Sequence, residues 1–400
     1  MGESPSTAKR RTTALLYCHD TFGLGHLRRT LSVVEVLGER RPDLSQLVAT
    51  GSPLAHAFRL PDRVDYLKLP SVAKVGAGRY ASRSLAVPLA DVAALRTEIL
   101  TATARRLRPD LVVVDNVPTG LGGELAPALR ELRRAGGTRF VLNLRGIVDE
   151  PERVRRAWMR DGSYHLLDDL YDRILVYGQP DVFDIAAEYG FSSTAQAKTR
   201  YVGYVQRGEP APPSANECPL VLVTAGGGGD GFALLRAALE SRARLSRANV
   251  RWTVITGPFL PAAQRDELTQ LARAVPGADL VEFAADVPAL IATADVVVSM
   301  GGYNSVCEIL SARRPAVIVP RVEPRLEQLL RARAFERRGL VRVVHPDELT
   351  PETLALSIEA LLSADGTSDD GAVDLSGLEH AAAELETLLV RAEPAAAGVA

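Results

Sequence analysis

The segment that most limits how this chain can fold is residues 296–310, with the sequence VVVSMGGYNSVCEIL. Its β-branched run is typical of a buried strand, and the run ends near Gly301 and Gly302. Asn304 and Ser305 follow, two residue types that favour helix caps, and a helical pattern with an acid in its first turn comes next. The segment therefore predicts a strand that passes through a tight turn into a helix, a typical connection of a parallel α/β sheet.

This corner predicts a seat for a phosphate group. The first turn of a helix offers unpaired backbone N–H groups and a partial positive charge, and Gly301 and Gly302 let a ligand approach the backbone closely. Glu308, a few residues into the helix, can accept hydrogen bonds from a pair of ribose hydroxyls. It can also serve only to complement the helix dipole, and this segment alone leaves both interpretations open.

A second corner of the same kind follows. Residues 316–320, AVIVP, read as the next strand, and Glu327 and Gln328 bring polar side chains to the start of another helix. The pair of corners resembles the nucleotide-sugar half of the glycosyltransferase B fold. Within that fold the chain is most similar to glycosyltransferase family 28, the family of the peptidoglycan N-acetylglucosaminyltransferase, and looks like a bacterial branch of it.

The resemblance implies roles for the acidic and amide side chains. By position, Glu308 would hold the ribose of the donor, and Glu327 with Gln328 would hold the donor sugar. The peptidoglycan enzyme has two glutamines where this chain has Glu-Gln, which leaves the exact sugar open. The resemblance is specific over the C-terminal part of the chain and looser before it.

Composition limits the classes of protein to which the chain can belong. Its 400 residues are 46% hydrophobic and 24% charged, as in a globular protein with two domains that each bury a core. Aromatic residues make up only 5%, which argues against a stacking platform for single-stranded nucleic acid, so no nucleic-acid partner is expected.

Charge is unevenly distributed along the chain. Residues 1–213 carry 30 basic and 24 acidic side chains, and the remainder carries 17 basic and 25 acidic side chains. The basic half predicts an anionic acceptor, peripheral contact with an anionic membrane, or simply solvated helix faces.

Strand and helix patterns alternate along the chain. They predict two Rossmann-like, doubly wound parallel-sheet domains that face each other across a cleft. We place the boundaries at a disordered tail (1–11), an N-terminal acceptor-side domain (12–208), a proline-rich linker (209–218), a C-terminal nucleotide-sugar-binding domain (219–375), and a C-terminal helix and tail (376–400). A Gly- and Arg-rich stretch, residues 71–84, is interpreted as a loop that lines the path of the acceptor, touches lipid headgroups or is only solvated.

The cysteines and the N-terminal residues bear on the subcellular location of the protein. Cys18, Cys218 and Cys307 are widely spaced and predict neither a disulfide framework nor a zinc site. The first residues lack an apolar signal core, and no run is long enough to span a membrane. We therefore expect a cytoplasmic protein whose membrane contact, if any, is peripheral at the inner face.

The loop after the first strand, residues 20–26, reads DTFGLGH. It superficially matches a dinucleotide-binding motif, but Arg28 stands at the third glycine position and no acid ends the second strand, so NAD is not expected. In the resembled family the corresponding loop is glycine-rich, lies on the acceptor side and ends in a histidine, which implies acceptor-side roles for Gly23 and Gly25. His26 would then lie at a helix N-terminus, where the dipole favours a neutral imidazole that can accept a proton, with simple helix capping as the alternative.

A second glycine-rich loop, residues 225–231, reads AGGGGDG after the first strand of the second domain. Again no acid ends the next strand, so a dinucleotide is not expected. A glycine run before a helix makes a nest of N–H groups for an anion, although a merely flexible loop is the alternative. The resemblance implies donor-binding roles for this loop and for the first corner, namely Gly226, Gly227, Gly228, Gly301, Gly302, Asn304 and Ser305.

Charged side chains at other strand ends complete the predicted site. Arg207 follows a glycine-containing strand end, as an arginine near the donor diphosphate does in the family, although a surface position is the alternative. Arg145 and Asp149 follow a strand expected to be central, Arg145 as an acceptor-side residue and Asp149 as the second candidate for the general base. Asp115 and Asn116 end another strand, where carboxylates are often only solvated.

No acidic pair stands in a convincing position after a strand, because Asp168 and Asp169 lie within a helical pattern. We therefore expect no metal and no cofactor other than a UDP-sugar co-substrate. Its phosphates would be met by helix dipoles, glycine amides and Arg207.

The predicted function is an inverting, metal-independent glycosyltransferase for cell-envelope or natural-product glycosylation. It would move N-acetylglucosamine or a related hexose from a UDP-sugar to a hydroxyl of a glycan, lipid-linked or small-molecule acceptor, with His26 or Asp149 taking the proton. Inversion and the uridine preference are implied by the resemblance alone. Two alternatives stay open: a nucleotide-sugar 2-epimerase or hydrolase on the same architecture, and a non-catalytic nucleotide-sugar-binding subunit.

Overall fold

The computed structural model of the protein describes residues 11–19, 25–76, 79–206, 218–247, 249–364 and 372–392. Gly23, Arg207 and most of the predicted linker lie outside these ranges. Within the described ranges, no helix is both long and apolar enough to cross a bilayer.

Within the described residues, the first part of the chain contains nine strands and seven α-helices. The strands are β1 (Thr13–Cys18), β2 (Ser45–Thr50), β3 (Val64–Lys68), β4 (Val72–Gly76), β5 (Arg79–Ser82), β6 (Leu111–Asp115), β7 (Arg139–Arg145), β8 (Arg173–Tyr177) and β9 (Thr199–Tyr201). The helices are α1 (Gly25–Arg40), α2 (Leu89–Leu107), α3 (Ala126–Ala135), α4 (Pro151–Asp161), α5 (Ser163–Asp169), α6 (Ile185–Glu188) and α7 (Ser193–Lys198). Seven of the strands form one parallel sheet in the order β3-β2-β1-β6-β7-β8-β9.

The core of this domain follows from its apolar runs. All five residues of β6, LVVVD, are buried, and so is β1 from Ala14 onward. Such continuous runs are typical of parallel strands that helices cover on both faces. Helix α1 buries Leu27, Val34 and Leu37 against the sheet, at the spacing of one helix face.

The second domain repeats this architecture. Its strands are β10 (Leu220–Thr224), β11 (Arg251–Ile255), β12 (Ala278–Val281), β13 (Val296–Ser299), β14 (Ala316–Ile318) and β15 (Arg342–Val343). Its helices are α8 (Phe232–Ser241), α9 (Ala262–Ala274), α10 (Val287–Thr293), α11 (Tyr303–Ser311), α12 (Glu327–Arg337) and α13 (Pro351–Leu362). The six strands form a parallel sheet in the order β12-β11-β10-β13-β14-β15, so the predicted fold class of two doubly wound parallel-sheet domains is confirmed.

Each sheet has one point where its strand order reverses. In the first sheet β1 lies between β2 and β6, and in the second β10 lies between β11 and β13. Ligands of open α/β sheets bind outside the carboxyl ends of the strands at such switch points. His26 follows β1, the glycine-rich loop follows β10, and the first corner follows β13, so the candidate residues lie where the topology places a site.

The prediction of a loop at residues 71–84 was wrong. Strands β4 and β5 pair antiparallel in a hairpin separate from both large sheets. Two short runs on either side of a glycine-containing stretch are a hairpin signal, which the loop interpretation overlooked.

The last helix, α14 (Gly377–Ala392), returns to the first domain and packs on α1 and β7. Arg173 Nε donates to Glu384 Oε2 at 3.1 Å across this contact. A side-chain carbon at Gly377 would lie 2.6 Å from the carbonyl oxygen of Tyr204, so the approach of the two segments requires glycine. The chain therefore passes between the domains twice.

Candidate active site

The first half of the cleft is organised around a histidine and an aspartate. His26 is the second residue of α1, and Asp115 is the last residue of β6, the strand beside β1. His26 Nδ1 lies 2.5 Å from Asp115 Oδ2, and the Asp115 side chain is only 4% exposed. The carboxylate therefore orients the imidazole through Nδ1 and leaves Nε2 as the nitrogen that can meet a ligand.

A buried arginine completes this pair. Arg29 stands one helical turn after His26. Its Nη2 donates to both oxygens of Asp115, at 2.7 and 2.8 Å, and its Nε donates to Oδ1 at 2.9 Å. Although burial raises it, the positive charges of Arg29 and then His26 hold the pKa of Asp115 well below its ordinary value. Asp115 is therefore an ionised carboxylate at neutral pH and can stabilise an imidazolium.

A second histidine packs on the first. His19 directly follows β1, and its ring centroid lies 4.5 Å from that of His26. Burial, followed by the nearby His26, lowers the pKa of His19 well below 6.5, so the ring is neutral. His19 Nδ1 is buried and has no hydrogen-bond partner among the described residues.

Sequence reasoning named Asp115 only as a strand-end carboxylate and did not single out Arg29 or His19. One signal was present for Arg29, since it follows His26 by three residues, the spacing that places two side chains on one face of a helix. The link from His26 to Asp115 depends on the pairing of β1 with β6, which no local pattern reveals.

The strand beside β6 brings Arg145 and Asp149 to the cleft, as expected. Arg145 ends β7, and its Nε lies 3.4 Å from Asn116 Oδ1. Burial, followed by the charge of Arg29, lowers the pKa of Arg145 to about 10. The Asp149 side chain is 14% exposed, and its Oδ1 accepts from the backbone N–H of Leu326 in the other domain at 2.9 Å.

The first corner of the second domain is shaped by its backbone. Gly301 has a φ of 72°, and a side-chain carbon there would lie 2.6 Å from Ile318 Cγ2 on the neighbouring strand. Both facts require glycine at this position. Gly302, by contrast, has a φ of −55° and open space where a side chain would stand.

Helix α11 starts earlier than predicted. Gly302 is the N-cap and Tyr303 the first helical residue, so Asn304 and Ser305 lie within the first turn. The prediction that Asn304 and Ser305 cap the helix was wrong, because the non-helical backbone that a cap needs occurs at Gly302. Glu308 accordingly lies in the second turn and not in the first.

Glu308 lines a cavity of about 460 Å³ between the two domains. Glu308 as a whole is 6% exposed. The cavity is also lined by α1, by α14, by the chain just after the first domain, and by the start of α10 with the segment before it. These elements contribute Arg28, Ser32, Glu35, Val36, Gln206, Ala285, Asp286, Val287, Pro288 and Leu378. Its volume falls within the range of small-ligand pockets.

The glycine-rich loop after β10 has a conformation that only glycine allows at two places. Gly226 and Gly228 have φ values of 64° and 85°, and a side chain at Gly228 would collide with the carbonyl oxygen of Thr256. The carbonyl oxygen of Gly227 accepts from the N–H of Phe259 at 2.9 Å. The loop therefore packs closely on the end of β11.

The second corner places Glu327 and Gln328 as the first two residues of α12, and both are buried. Gln328 Oε1 accepts from the backbone N–H of Arg321 at 2.9 Å, which folds the corner back on itself. Glu327 Oε1 lies 3.6 Å from Arg321 Nη2, whereas Glu327 Oε2 has no hydrogen-bond partner among the described residues. A buried oxygen left in this state is a candidate for a ligand contact.

Arg331, which sequence reasoning did not name, joins the two corners. It lies one turn after Glu327, is 2% exposed, and donates from Nη1 to the carbonyl oxygen of Gly301 at 3.2 Å. Its Nη2 has no partner among the described residues. Its guanidinium stacks on Tyr303 from 5.4 Å, while Arg29 of the first domain approaches the same ring from 5.8 Å.

The predicted donor residues do not all line one cavity. Strands β13 and β14 are paired, which brings the two corners side by side. Glu308 faces the cavity described above, but Glu327 and Gln328 are not among the described residues that line it. No group of three or more His, Cys, Asp or Glu side chains in the described ranges is placed to hold a metal ion.

Comparison with protein families identifies the second domain. Residues 220–372 match the glycosyltransferase family 28 C-terminal domain. The match spans the second sheet and both corners, with Glu308, Glu327 and Gln328.

Curated relatives extend the similarity into the first domain. The UDP-N-acetylglucosamine--N-acetylmuramyl-(pentapeptide) pyrophosphoryl-undecaprenol N-acetylglucosamine transferase of Symbiobacterium thermophilum is 25% identical over 365 residues, 86% of this chain and 87% of the relative. The protein of the same name from Rubrobacter xylanophilus is 29% identical over 296 residues, 72% of this chain and 76% of the relative. That from Geobacillus kaustophilus is 38% identical over 78 residues, and this match spans only 22% of the relative's length and 19% of this chain.

Solved structures share the whole architecture. The calicheamicin glycosyltransferase CalG4 has a TM-score of 0.64 at 19% identity, covering 96% of this chain and 100% of its own. MurG of Acinetobacter baumannii has a TM-score of 0.62 at 14% identity, covering 95% and 99%. A putative UDP-N-acetylglucosamine 2-epimerase from Listeria monocytogenes has a TM-score of 0.64 at 13% identity, covering 98% and 100%. At these identities the likeness shows the fold alone, that of the glycosyltransferase B architecture.

Proposed function

Because the chain belongs to glycosyltransferase family 28, we propose that it transfers a sugar from a UDP-sugar to a hydroxyl group of an acceptor. The observation that carries this proposal is that the His26–Asp115 pair of the first domain lies close to the N-terminus of α11 in the second domain. A side-chain carbon at Gly25 would lie 3.5 Å from Asn304 Nδ2, so the starts of α1 and α11 meet across the cleft. A proton acceptor and a diphosphate seat held this close can bring two substrates together in a reactive orientation.

His26 is the proposed general base. With Nδ1–H donated to Asp115, Nε2 can take the proton of the acceptor hydroxyl as its oxygen attacks the anomeric carbon of the donor sugar. Asp115 stays ionised and stabilises the imidazolium that forms, and Arg29 holds Asp115 in place.

The bond from the anomeric carbon to the diphosphate oxygen breaks as the acceptor oxygen arrives from the opposite face. Attack from the opposite face inverts the anomeric configuration, and the reaction passes through an oxocarbenium-like transition state. The departing diphosphate gains negative charge, which the N–H groups and dipole at the start of α11 and the glycine-rich loop are suited to stabilise. Arg207, outside the described residues, is a further candidate for stabilising this charge. The proposed mechanism uses no metal.

The donor is proposed to bind in two parts. Glu308 would accept hydrogen bonds from the ribose hydroxyls in the cavity of about 460 Å³. Glu327 and Gln328 would read the hydroxyls of an N-acetylglucosamine or related hexose. Glu327 Oε2 and Arg331 Nη2, which have no hydrogen-bond partner among the described residues, support this, since both buried atoms would gain partners when the donor binds.

The acceptor is proposed to be a glycan or a lipid-linked sugar. The support is the name of the curated relatives, which gives their acceptor as an N-acetylmuramyl-(pentapeptide) pyrophosphoryl-undecaprenol. A lipid-linked acceptor would require peripheral contact between the protein and the membrane surface.

The test combines product analysis with binding. Purified protein is mixed with a panel of UDP-hexoses and candidate acceptors, and release of UDP is followed with the mass of the product. We expect release that depends on the acceptor, and a fall in kcat of about 10²- to 10⁴-fold in His26→Ala, because that variant lacks the general base. Calorimetry of donor binding is the control, since His26→Ala should bind the UDP-sugar as the wild type does. Full activity in His26→Ala, or no affinity for any UDP-sugar, would refute the proposal.

A nucleotide-sugar 2-epimerase or hydrolase is the second candidate. The putative 2-epimerase from Listeria monocytogenes matches this fold with the same TM-score, 0.64, as the glycosyltransferase CalG4. Incubation of the donor alone discriminates the two activities, because an epimerase or hydrolase converts it without an acceptor. Binding of the donor with no turnover under either condition would indicate a non-catalytic subunit.

A further inference from the structure

Asp149 is anchored in the first domain by its backbone. The hydroxyl of buried Tyr189 accepts from the N–H groups of Val148 at 2.9 Å and of Asp149 at 3.4 Å. The same hydroxyl donates to the carbonyl oxygen of Asp149 at 3.0 Å. The position of Asp149 is therefore set by the core of the domain that carries His26.

The side chain of Asp149 points across to the second domain. Its Oδ1 accepts from the backbone N–H of Leu326 at 2.9 Å, and its Oδ2 lies 4.0 Å from Arg325 Nε. Arg153 makes a second hydrogen bond between the domains, in which Nη1 donates to the carbonyl oxygen of Pro324 at 3.2 Å. Three successive residues before α12 are thus contacted from the opposite domain.

These contacts fall on a helix start that lacks a cap of its own. Leu326 is the N-cap residue of α12, and its side chain makes no capping hydrogen bond. Helix starts leave backbone N–H groups unpaired and carry a partial positive charge, so a carboxylate there makes a charge-assisted hydrogen bond. Asp149 therefore caps α12 from the other domain.

The capped residue directly precedes the pair proposed to read the donor sugar. Glu327 and Gln328 are the first two residues of α12. We propose that Asp149 is a positioning residue that holds Leu326, and thereby sets where Glu327 and Gln328 stand relative to His26. This inference rests on the proposed function of the second corner.

A positioning role for Asp149 differs from the role of general base that its place after a central strand predicted. Its Oδ1 accepts from two backbone N–H groups, those of Glu150 and Leu326, both at 2.9 Å. His26, in contrast, has its own carboxylate partner in Asp115. Separation of the domains would break the bond from Leu326 to Asp149, so this bond links closure of the cleft to the order of the donor-sugar corner.

The first test needs no ligand. Backbone amide hydrogen exchange at Leu326 is measured in the wild type, in Asp149→Ala and in Asp149→Asn. The matched control is Glu152→Gln, which alters an acid 70% exposed on the same segment whose ion-pair partner is Arg156. We expect exchange at Leu326 to accelerate about 10- to 100-fold in Asp149→Ala, the effect of losing a charge-assisted hydrogen bond, and less in Asp149→Asn, which keeps an acceptor oxygen. Unchanged exchange in Asp149→Ala would overturn the interdomain cap.

The second test compares UDP with a UDP-sugar. Asp149→Ala should raise the Kd and KM for the UDP-sugar about tenfold or more, while leaving the Kd for UDP and most of kcat intact, because the change affects only the sugar corner. Asp149→Asn should recover part of that affinity. A loss of kcat equal to that of His26→Ala, at normal donor affinity, would instead make Asp149 a proton acceptor and overturn the inference. If the wild type binds no UDP-sugar, the proposed function fails, whereas the exchange test still decides whether the cap exists.

Discussion

The two halves of the cleft treat their buried carboxylates in opposite ways. In the first half Asp115 is 3% exposed, and both of its oxygens are hydrogen-bonded, by His26 and Arg29. In the second half Glu327 is 5% exposed, yet its Oε2 has no partner among the described residues and its Oε1 lies 3.6 Å from Arg321 Nη2. The two carboxylates are buried to a similar extent, but within the described part of the chain both oxygens are hydrogen-bonded only in Asp115.

Asp115 is therefore preorganised without a ligand, whereas Glu327 retains an oxygen that a ligand can hydrogen-bond. A carboxylate with both oxygens hydrogen-bonded holds its neighbours in one geometry before any ligand binds. This arrangement suits the orientation of a general base. A buried oxygen without a partner costs about 1–3 kcal/mol, and a bound ligand can remove that cost. Under the proposed function, the first domain holds its base in place before a ligand binds, whereas the second domain completes its hydrogen bonds only when the donor binds.

Removal of Asp115 is the largest expected perturbation. Asp115→Ala leaves the buried guanidinium of Arg29 without a counter-charge, and breaking a buried pair in this way costs about 3–5 kcal/mol of unfolding free energy. Urea unfolding at neutral pH measures the loss. The counterpart in the other half is Glu327→Ala, which we expect to cost no more than about 1 kcal/mol of unfolding free energy, because Oε2 has no hydrogen-bond partner among the described residues. Equal losses in the two variants would break the comparison.

Two substitutions in the second half should separate the parts of the donor. A charge-assisted hydrogen bond contributes about 1.5–3 kcal/mol, or about 10- to 100-fold in affinity. Glu308→Gln should therefore weaken UDP and a UDP-sugar alike, whereas Glu327→Gln should weaken the UDP-sugar alone. Calorimetric titration of each variant with both ligands measures these effects. An equal loss of UDP affinity in Glu327→Gln would show that the two corners do not form separate subsites.

Adjacent glycines of the first corner offer a matched pair of variants. Gly301→Ala forces a side chain into a left-handed backbone conformation and against Ile318, which should cost about 1–3 kcal/mol of unfolding free energy. Gly302→Ala meets open space at a φ of −55° and should change stability by less than about 0.5 kcal/mol. Thermal unfolding of both variants is sufficient, and a larger effect at Gly302 would contradict the described backbone.

The smallest expected effect concerns pH and lies in the first half. The pKa of His19 in the folded protein lies well below 6.5, so below pH 6.5 the unfolded chain binds a proton that the folded protein does not. Stability should therefore fall as pH drops below 6.5, with a contribution of at most about 1.4 kcal/mol per pH unit from this residue. Urea unfolding at several pH values should show a flatter profile in His19→Asn. An unchanged slope would mean that His19 is not held neutral by burial.

Local patterns predicted much of the fold and the position of some residues of the candidate site. The apolar run at 296–298 and the glycines after it predicted a strand and a corner, because these features depend on residues close in sequence. His26 was expected at a helix start and lies there. The cap prediction for Asn304 and Ser305 failed because both are good cap residues, yet the neighbouring Gly302 has the non-helical backbone.

The partners of these residues could not be read from the same patterns. His26 and Asp115 are 89 positions apart, and their contact depends on β1 lying beside β6. Arg331 looked like an ordinary basic residue of a helix, and only the pairing of β13 with β14 brings it to the carbonyl oxygen of Gly301.

By itself the sequence determined two parallel α/β domains and the glycine corners at their strand ends, because hydrophobic periodicity and backbone freedom act over a few residues. Only the tertiary structure decided which charges meet: Arg29 and His26 on Asp115, and Asp149 on the N–H of Leu326, 177 positions away. The physical reason is that such contacts depend on strand order and on the approach of the two domains, which are properties of the whole chain.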